Sequence, residues 1–472
     1  MNHLPLLCAV GSVCLSAPAA EKTARPNVLF IIMDDLTTAI GCYGDRDART
    51  PNMDALAARG VRFEHAYCQF SLCAPSRSSF LTGCYPDRTK VYNLSGNFRN
   101  ALPDVVTLPE LFKKEGYTTG LIGKVFHGGG TKIKLDLVMS APLRKDQDIL
   151  AEAKAKNDPS DKPHGKAGSE EKGESFNRCY ASSSRPDSDF TDYEIADRAI
   201  AALEQFKDKP FFLTVGFIRP HTPYVAPQAF FDQFDPKEIA MPPFYRPDGE
   251  DRSLIPEAAL RPNNNVFRFQ APTLEEACDA RRAYLAASSF SDSQLGRVLA
   301  KLKELDLDKN TIIALVGDNG YQLGEHGLWA KQTLFKGGTS VPLIISVPGG
   351  TAGVCSGLVE QVDIYPTLAG LAGLPLPETV QGKTMQPLLE DPSLPGKPYV
   401  YSVMMAPKSI MGRSISDGRF TYIEWDEGRA GRQLYDNEKD PDQLHNLADQ
   451  PEQSEFIKDM HKRLTSHLEE TK

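Results

Sequence analysis

One short segment carries the residue types best suited to chemistry. Residues 73–77 read Cys-Ala-Pro-Ser-Arg, and Gly83 follows a little further on. Proline is favoured in the first helical turn, where its missing N–H costs nothing, and glycine is favoured at a helix end. The pattern predicts a helix that begins just after Cys73, with its positive end facing whatever the thiol attacks. On these residues alone, the other interpretation is a buried structural cysteine beside a helix cap.

Two pairs of oxygen-bearing residues follow long apolar runs. Residues 27–33 and 311–317 predict strands that are buried on both faces, and Asp34-Asp35 and Asp318-Asn319 come directly after them. Because ligands bind at the carboxyl ends of strands in open α/β sheets, the two pairs are expected to converge. Their oxygen atoms favour Ca²⁺ or Mg²⁺ over zinc or copper. Each pair taken singly is typical of an ordinary turn, and it is the repetition that favours a metal site.

Cationic and titratable side chains occupy comparable positions. Lys124 and His127 follow the predicted strand 118–122, His221 follows the predicted strand 211–217, and Lys331 follows the Gly-flanked turn 324–327. We expect these four side chains to lie beside the metal. His326, inside that turn, is expected to make a structural hydrogen bond. No role is assigned to the remaining candidates outside the motifs: His65, His445, His461 and His467.

The elements that must position these residues indicate an α/β protein with a largely parallel sheet. A fifth strand is predicted at 343–347, and helices at 53–59, 105–115 and 274–305. Residues 144–175 are polar and predict a solvated insertion, with a helix at 148–156. After residue 395, four short antiparallel strands (399–404, 413–416, 420–425 and 433–435) and a helix at 452–468 predict a small α+β unit.

The resulting organisation is a signal peptide at 1–20, a catalytic domain at 21–395 and a C-terminal subdomain at 396–472. The short apolar run at 4–15, followed by small residues, is typical of a secretory signal and predicts a periplasmic or secreted protein. No later segment is long and apolar enough to span a membrane. The formal net charge of -9 argues against nucleic-acid or membrane partners. Six cysteines outside the signal and apart from Cys73 could pair in an oxidising compartment.

The order of these motifs resembles the type I sulfatases of the alkaline phosphatase superfamily, and the resemblance covers nearly the whole chain. Residues 73–77, 123–127 and 324–331 are most similar to the iduronate-2-sulfatases within that family. The resemblance implies an alkaline phosphatase-like sandwich, with a large, mostly parallel central sheet flanked by helices and a small C-terminal antiparallel sheet. It also implies that a formylglycine-generating or maturase enzyme oxidises Cys73 to formylglycine, an aldehyde that hydrates to a diol.

The same resemblance implies a role for each site residue. One calcium ion per subunit would be held by Asp34, Asp35, Asp318, Asn319 and an oxygen of the modified Cys73. Arg77 and Lys124 would steady the nucleophile and the sulfate, and Lys331 would bind the sulfate. His127 would act as the base that promotes sulfate release, and His221 as the acid that protonates the leaving oxygen. The two histidine roles can be exchanged on this reasoning.

The expected activity is hydrolysis of sulfate esters on a sulfated oligo- or polysaccharide, with a 2-O-sulfated uronic acid as one candidate. The expected fold and residues leave two alternatives open. The first is a phosphatase or phosphonate hydrolase of the same superfamily, and the second is a catalytically silent glycan-binding protein that keeps the fold.

Overall fold

The computed structural model describes residues 25–127, 133–140, 146, 148–152, 179–242, 245, 254–260, 266–267 and 272–472. Its strands are β1 (Asn27–Met33), β2 (Val61–Tyr67), β3 (Thr118–Gly123), β4 (Leu137–Met139), β5 (Tyr180–Ser183), β6 (Phe211–Phe217), β7 (Tyr224–Pro227), β8 (Thr311–Gly317), β9 (Leu343–Ser346), β10 (Gly353–Glu360), β11 (Val400–Met405), β12 (Met411–Ser416), β13 (Phe420–Trp425) and β14 (Arg432–Asp436). Its α-helices are α1 (Pro51–Ala58), α2 (Cys73–Thr82), α3 (Pro86–Thr89), α4 (Leu108–Lys114), α5 (Thr191–Phe206), α6 (Gln228–Phe231), α7 (Leu274–Glu304), α8 (Lys336–Thr339), α9 (Ile364–Leu371), α10 (Gln386–Glu390) and α11 (Ser454–Thr471).

An eight-stranded sheet forms the centre of the protein, in the order β10-β2-β9-β8-β1-β6-β3-β4. Strand β9 is antiparallel to both of its neighbours, and the other adjacent strands are parallel. The fold is therefore the predicted α/β architecture with a largely parallel sheet. A separate pair, β5 and β7, is parallel as well.

Strand β1 shows why the apolar runs form the middle of this sheet. Val28, Phe30 and Ile32 join a core cluster on one face, with residues of α2, α4 and α9. Leu29, Ile31 and Met33 join a second cluster on the other face, with residues of α1, α5 and α7. Because both faces are covered, every residue of the strand is buried, and an alternating polar pattern would not be tolerated.

The register of the four middle strands brings their carboxyl ends level. Met33, the last residue of β1, pairs with Phe217 of β6 on one side and with Gly317 of β8 on the other. Gly123, the last residue of β3, pairs with Gly216 of β6. A Cβ on Gly216 would lie 2.0 Å from the carbonyl oxygen of Lys124, so only glycine permits this close approach. The residues that follow these strands are thereby held side by side.

The C-terminal part forms a four-stranded antiparallel sheet, in the order β11-β12-β13-β14. The helix α11 packs on it through Ile457, Met460 and Leu464, which share a core cluster with Tyr422 and Leu434. The four predicted strands and the closing helix are all present, with ends shifted by a few residues. The boundary at residues 395–396 stays a prediction.

Several expectations differ from the structure. Strands β2 and β10 were not predicted, because Val61–Tyr67 alternates with charged residues and Gly353–Glu360 contains glycines and polar residues at the sheet edge. Helix α2 begins at Cys73 itself rather than after it. Residues 148–152 are helical, and the rest of the predicted insertion and of its helix lies mostly outside the described residues, as does the predicted signal at 1–20. No disulfide joins cysteines within the described residues, so the pairing that was possible for six of them is not seen: Cys42, Cys68, Cys84, Cys179, Cys278 and Cys355.

A search of the described residues for a helix with the length and apolar character of a membrane span finds none.

The C-terminal helix contributes a half-buried, titratable contact that joins β11 to the segment before α3. The ring of His467 stacks on Tyr401, with centroids 3.4 Å apart, and meets the edge of Tyr85 at 4.6 Å. Burial, reinforced by Lys397 and opposed by Glu360, lowers the pKa of His467 to about 4. The unfolded chain has an ordinary histidine pKa and binds a proton more readily, so this contact loses stability as the pH falls below the unfolded value.

We therefore expect His467→Phe, which keeps an aromatic ring but cannot titrate, to lessen acid sensitivity. The fall in Tm between about pH 7 and about pH 5 should be smaller in this variant than in the wild type. The matched control is His445→Phe, at a histidine whose side chain is 79% exposed. An equal fall in Tm for the wild type and His467→Phe would contradict this assignment.

Candidate active site

Most of the candidate site residues follow four neighbouring parallel strands and therefore lie together at the carboxyl end of the sheet. Asp34 and Asp35 follow β1, Asp318 and Asn319 follow β8, Lys124 follows β3, and His221 lies four residues beyond β6. Helix α2 adds Cys73 and Arg77, and the loop after β8 adds Lys331. The structure thus brings together residues that are up to about 300 positions apart in the chain, as the contacts below show.

Asp34 and Arg77 form the deepest part of the site. Arg77 is fully buried and donates from Nε to Asp318 Oδ2 at 2.8 Å, while its Nη2 lies 3.4 Å from Asp34 Oδ1. Its Nη1 donates to the carbonyl oxygens of Lys124 and Val125. Lys124 Nζ contacts Asp34 Oδ2. Burial alone would raise the pKa of Asp34, but Lys124, His221, Arg77 and Lys331 together hold it well below its ordinary value.

Asp35 and Lys331 form the second charged contact. Lys331 Nζ donates to Asp35 Oδ1 at 2.6 Å and to Oδ2 at 2.9 Å, and it lies 3.8 Å from Cys73 Sγ. Asn319 Nδ2 donates to Asp35 Oδ1 at 2.8 Å. The backbone N–H of Asp35 donates to Asp318 Oδ1 at 2.9 Å, which joins the two oxygen-bearing pairs directly. Burial opposes the charge on Lys331, yet Asp35 and the neighbouring anionic groups raise its pKa well above the ordinary value.

Cys73 is the first residue of α2, and its side chain is almost completely buried. Solvent reaches the surrounding polar groups, since the Lys124 side chain is 12% exposed and the His221 side chain 30%. Burial raises the pKa of the Cys73 thiol, and Lys331 and Lys124 only partly oppose this effect. An unmodified thiol at this position is therefore protonated near neutral pH and is a weak nucleophile.

A divalent cation fits this group of residues. One ligand atom each from Asp34, Cys73 and Asp318 lies within 4.8 Å of the others. Asn319 Oδ1 is buried and has no hydrogen-bond partner among the described residues, although its amide nitrogen is fully used. Burial, with repulsion from Asp34 and Asp35, raises the pKa of Asp318 to about 7 despite the opposing charge of Arg77. Crowded carboxylates and an unsatisfied amide oxygen are what a hard cation would relieve.

The two histidines stand at the more open side of the site. His221 Nδ1 lies 2.6 Å from the carbonyl oxygen of Thr222. A carbonyl oxygen can only accept a hydrogen bond, so Nδ1 carries a proton. The other ring nitrogen, Nε2, lies 3.8 Å from Asp35 Oδ2. Burial lowers the pKa of His221, and Asp34 opposes the shift. Burial and Lys124 lower the pKa of His127 to about 4, and its Nδ1 meets no hydrogen-bond partner in the part of the chain that the structure describes. His127 is therefore a neutral imidazole near neutral pH.

Two residues close in sequence to the site residues make structural contacts instead. Arg219, next to His221 in the same segment, is buried in ion pairs with Asp146 and Asp192 and does not join the site. His326 is buried in its turn, where its ring stacks on Phe335 with centroids 3.9 Å apart. The stacking supports the expected structural role, and the hydrogen bond expected for His326 stays a prediction.

Sequence reasoning missed the residues that fasten α2 to the end of β8. Ser76 Oγ donates to the carbonyl oxygen of Asp318 at 2.5 Å and also lies 2.7 Å from Gln361 Oε1. Gln361 Nε2 donates to the carbonyl oxygen of Gly317 at 2.5 Å. Gln361 comes directly after β10, so the same rule that selected Asp34 and Asp318 would have selected it, had β10 been predicted.

Comparisons with known proteins agree with this geometry. The Sulfatase family profile matches residues 26–374. The chain belongs to the sulfatase family. A second profile, the C-terminal region of N-sulphoglucosamine sulphohydrolase, matches residues 324–470. The chain is 32% identical to iduronate 2-sulfatase from Homo sapiens, over 93% of this chain and 94% of the relative. It is also 32% identical to a sulfatase from Formosa agariphila, over 91% and 84% respectively.

Solved structures agree on the architecture of this sulfatase. A 2-O GAG sulfatase superposes with a TM-score of 0.73 at 26% identity, covering 95% of this chain and 92% of the other. A phosphonate monoester hydrolase from Silicibacter pomeroyi superposes with a TM-score of 0.78 at 22% identity, covering 95% and 96%, which shows a shared fold alone. The fold is therefore that of the alkaline phosphatase-like sulfatases, and the protein is a sulfuric ester hydrolase.

The buried Arg77 guanidinium should be essential to the stability of this site. Arg77→Lys keeps the charge but cannot reach Asp318 and two backbone carbonyls at once, so it should lower the free energy of unfolding by about 3 kcal/mol. Arg413→Lys is the matched control, because Arg413 also forms a two-pronged contact, with Asp87, but is 18% exposed. Its cost should be about 1 kcal/mol or less. Denaturant unfolding measures both, and similar values would contradict the central role of Arg77.

Proposed function

We propose that this sulfatase hydrolyses sulfate esters on a sulfated carbohydrate, with a formylglycine made from Cys73 as its nucleophile and a calcium ion as its metal. The observation that carries the proposal is the position of Cys73 Sγ, which has Lys331 Nζ at 3.8 Å and carboxylate oxygens of Asp34 and Asp318 close by. The proposed nucleophile, the cations and the oxygen ligands thus lie together at the carboxyl end of the central sheet.

The metal would be held by Asp34, Asp35, Asp318 and Asn319, together with an oxygen of the modified residue 73. Three carboxylates here face the three cations Arg77, Lys124 and Lys331, so a divalent ion would give the site a net positive charge. Such a charge complements an anionic sulfate ester and the negative charge that develops on its oxygens. Calcium is proposed rather than a softer metal because the available ligands are oxygens.

The protonated thiol supports the modification. A buried thiol with a raised pKa is poorly suited to attack on an anionic ester, so chemistry at residue 73 would need a different group. Formylglycine, when formed, would supply through its hydrate an oxygen nucleophile and a second hydroxyl that allows sulfate to be expelled, and calcium held by the oxygen ligands would polarise the sulfate oxygens. Because residue 73 is the first residue of α2, the positive end of the helix dipole would also face the incoming sulfate.

The remaining groups of this chain bind the sulfate and move protons. Lys331 lies beside Cys73 and Lys124 contacts Asp34, and both would hold the sulfate oxygens. His127, neutral near pH 7 because its pKa is about 4, would accept a proton from the second hydroxyl of the hydrate. His221 would give a proton from Nε2 to the leaving sugar oxygen. Because Nδ1–H already donates to the Thr222 carbonyl oxygen, Nε2 carries a proton only in the imidazolium form, which burial disfavours and the carboxylates of Asp34 and Asp35 favour.

A 2-O-sulfated uronic acid is the proposed substrate unit. Two of the relatives support it, the iduronate 2-sulfatase of Homo sapiens and the 2-O GAG sulfatase of known structure. We further propose that the protein is secreted or periplasmic, with a signal at 1–20, and that a formylglycine-generating or maturase enzyme modifies it. Residues 21–395 would be the catalytic domain and 396–472 its C-terminal subdomain.

A panel of defined sulfated saccharides, with aryl sulfate and aryl phosphate beside it, tests the proposed activity. Sulfate release should be greatest from saccharides that carry a 2-O-sulfated uronic acid, and aryl sulfate should be hydrolysed faster than aryl phosphate. The protein must be produced in a host that performs the modification. Faster turnover of aryl phosphate would favour the phosphohydrolase alternative, and no turnover of any ester would favour a silent glycan-binding protein.

Mass spectrometry of the tryptic peptide Phe63–Arg77 tests the modification directly. Conversion to formylglycine removes the sulfur and two hydrogens from Cys73 and adds one oxygen, and fragmentation distinguishes this from a change at Cys68. Cys73→Ala should abolish sulfate release while calcium binding and the folded state persist, because the cations and carboxylates stay in place. Near-normal turnover in that variant would sink the nucleophile assignment.

The proposed acid role of His221 predicts a dependence on the leaving group. His221→Ala should slow hydrolysis of sugar sulfates by about 100-fold or more, and hydrolysis of activated aryl sulfates much less, since only the sugar oxygen needs a proton. The control is His65→Ala, because His65 lies on β2, next to the edge strand β10. Equal losses on both substrates would remove His221 from the acid role.

A further inference from the structure

A tyrosine of the long helix α7 holds the backbone turn that carries Asp35. The Tyr284 hydroxyl donates to the carbonyl oxygen of Asp35 at 2.9 Å and accepts from the backbone N–H of Thr37, also at 2.9 Å. Both contacts are buried. The hydroxyl group thus connects the backbone on either side of Leu36, because it donates to one residue of the turn and accepts from another.

This turn needs such support because Asp35 adopts an unfavourable backbone conformation. Its φ of +61° lies in the left-handed region, which residues with a Cβ adopt only where the surroundings impose it. The orientation of this peptide decides where the Asp35 carboxylate stands relative to Lys331 and Asn319. It also aims the Asp35 N–H at Asp318 Oδ1. A relaxed turn would therefore displace both oxygen-bearing pairs of the site.

Tyr284 is itself held firmly enough to impose a geometry. Its ring is fully buried and packs against Tyr224, with centroids 5.4 Å apart and planes at 85°, and against Tyr321 at 6.4 Å. Further along α7, Asp292 accepts from the backbone N–H of Asn52 and from that of Met53. The hydroxyl is therefore presented by a helix that is fastened to the body of the protein at a second point.

We propose that Tyr284 is a positioning residue of the sulfatase site, which acts through the backbone of Asp35 and touches neither sulfate nor sugar. The proposal rests on the function proposed above. In this proposal, helix α7 contributes no ligand or proton-transfer group. It holds the turn after β1 in the conformation that calcium binding and sulfate binding require.

The test compares Tyr284→Phe with Tyr224→Phe. Both changes remove one hydroxyl from the same aromatic cluster, but the Tyr224 hydroxyl makes no hydrogen bond to the described residues of the turn. Outer residues that orient metal ligands typically contribute 10- to 100-fold, so Tyr284→Phe should lose about that factor in kcat and in calcium affinity, with KM changed less. Tyr224→Phe should stay within about threefold of the wild type in both measurements. Turnover is normalised to the formylglycine content, and calcium affinity is measured by calorimetry.

A lower Tm in Tyr284→Phe, with wild-type kcat and calcium affinity, would mean a merely structural role and would overturn the proposal. If the variant does not fold, amide hydrogen exchange of the wild type decides the matter. The Thr37 N–H should be strongly protected although it lies in a turn, and rapid exchange there would overturn the clamp. A wild-type enzyme that releases no sulfate from any ester would instead defeat the proposed function, while the exchange and calcium measurements would still test Tyr284.

Discussion

Three carboxylates are buried together at the carboxyl end of the central sheet, and the rest of the site is organised around their charge. Asp34, Asp35 and Asp318 are all completely inaccessible to solvent. Burying unpaired charges of one sign is costly, so such a group persists only with cations and hydrogen-bond donors close at hand. Arg77, Lys124 and Lys331 provide them from three different elements. The same opposition of charges prepares the site for a divalent ion and an anionic ester.

The scaffold satisfies this requirement through strand register and close backbone packing. Adjacent strands end within one residue of each other in register, so the loops that leave β3, β6, β1 and β8 start side by side. Helix α2 is then tied to β8 by Ser76 and Gln361, and the turn after β1 is tied to α7 by Tyr284. Each tie is a hydrogen bond to backbone, which fixes position without adding a further charge to the site.

The C-terminal sheet also bears on the site. Phe70, Leu72 and Cys73 lie in one apolar cluster with Val403 and Trp425, which belong to β11 and β13. The segment that leads into α2 is therefore packed against the C-terminal sheet. This packing explains why the Cys73 thiol is buried and protonated, and it places the C-terminal unit next to the proposed nucleophile rather than at a distance from it.

The sequence by itself determined the main strands, their order along the chain and the polar residues that follow them. A run such as 27–33 has few alternatives to a doubly buried strand, and a polar pair directly after it must lie at the strand's carboxyl end. The sulfatase resemblance supplied the expected role of each residue. Strand β2 escaped prediction because its residues alternate with charged ones, and the edge strand β10 because it contains glycines and polar residues, which hid Gln361 as well.

Only the tertiary structure decided which groups share charges and hydrogen bonds. Lys331 contacts Asp35 across 296 residues, and Tyr284 reaches the same residue from a helix whose pattern indicates only burial. Arg219 and His221 are two positions apart, yet one is locked in structural ion pairs and the other faces the site. Local patterns record whether a side chain prefers water or a core; they do not record its partner, which depends on how distant segments pack.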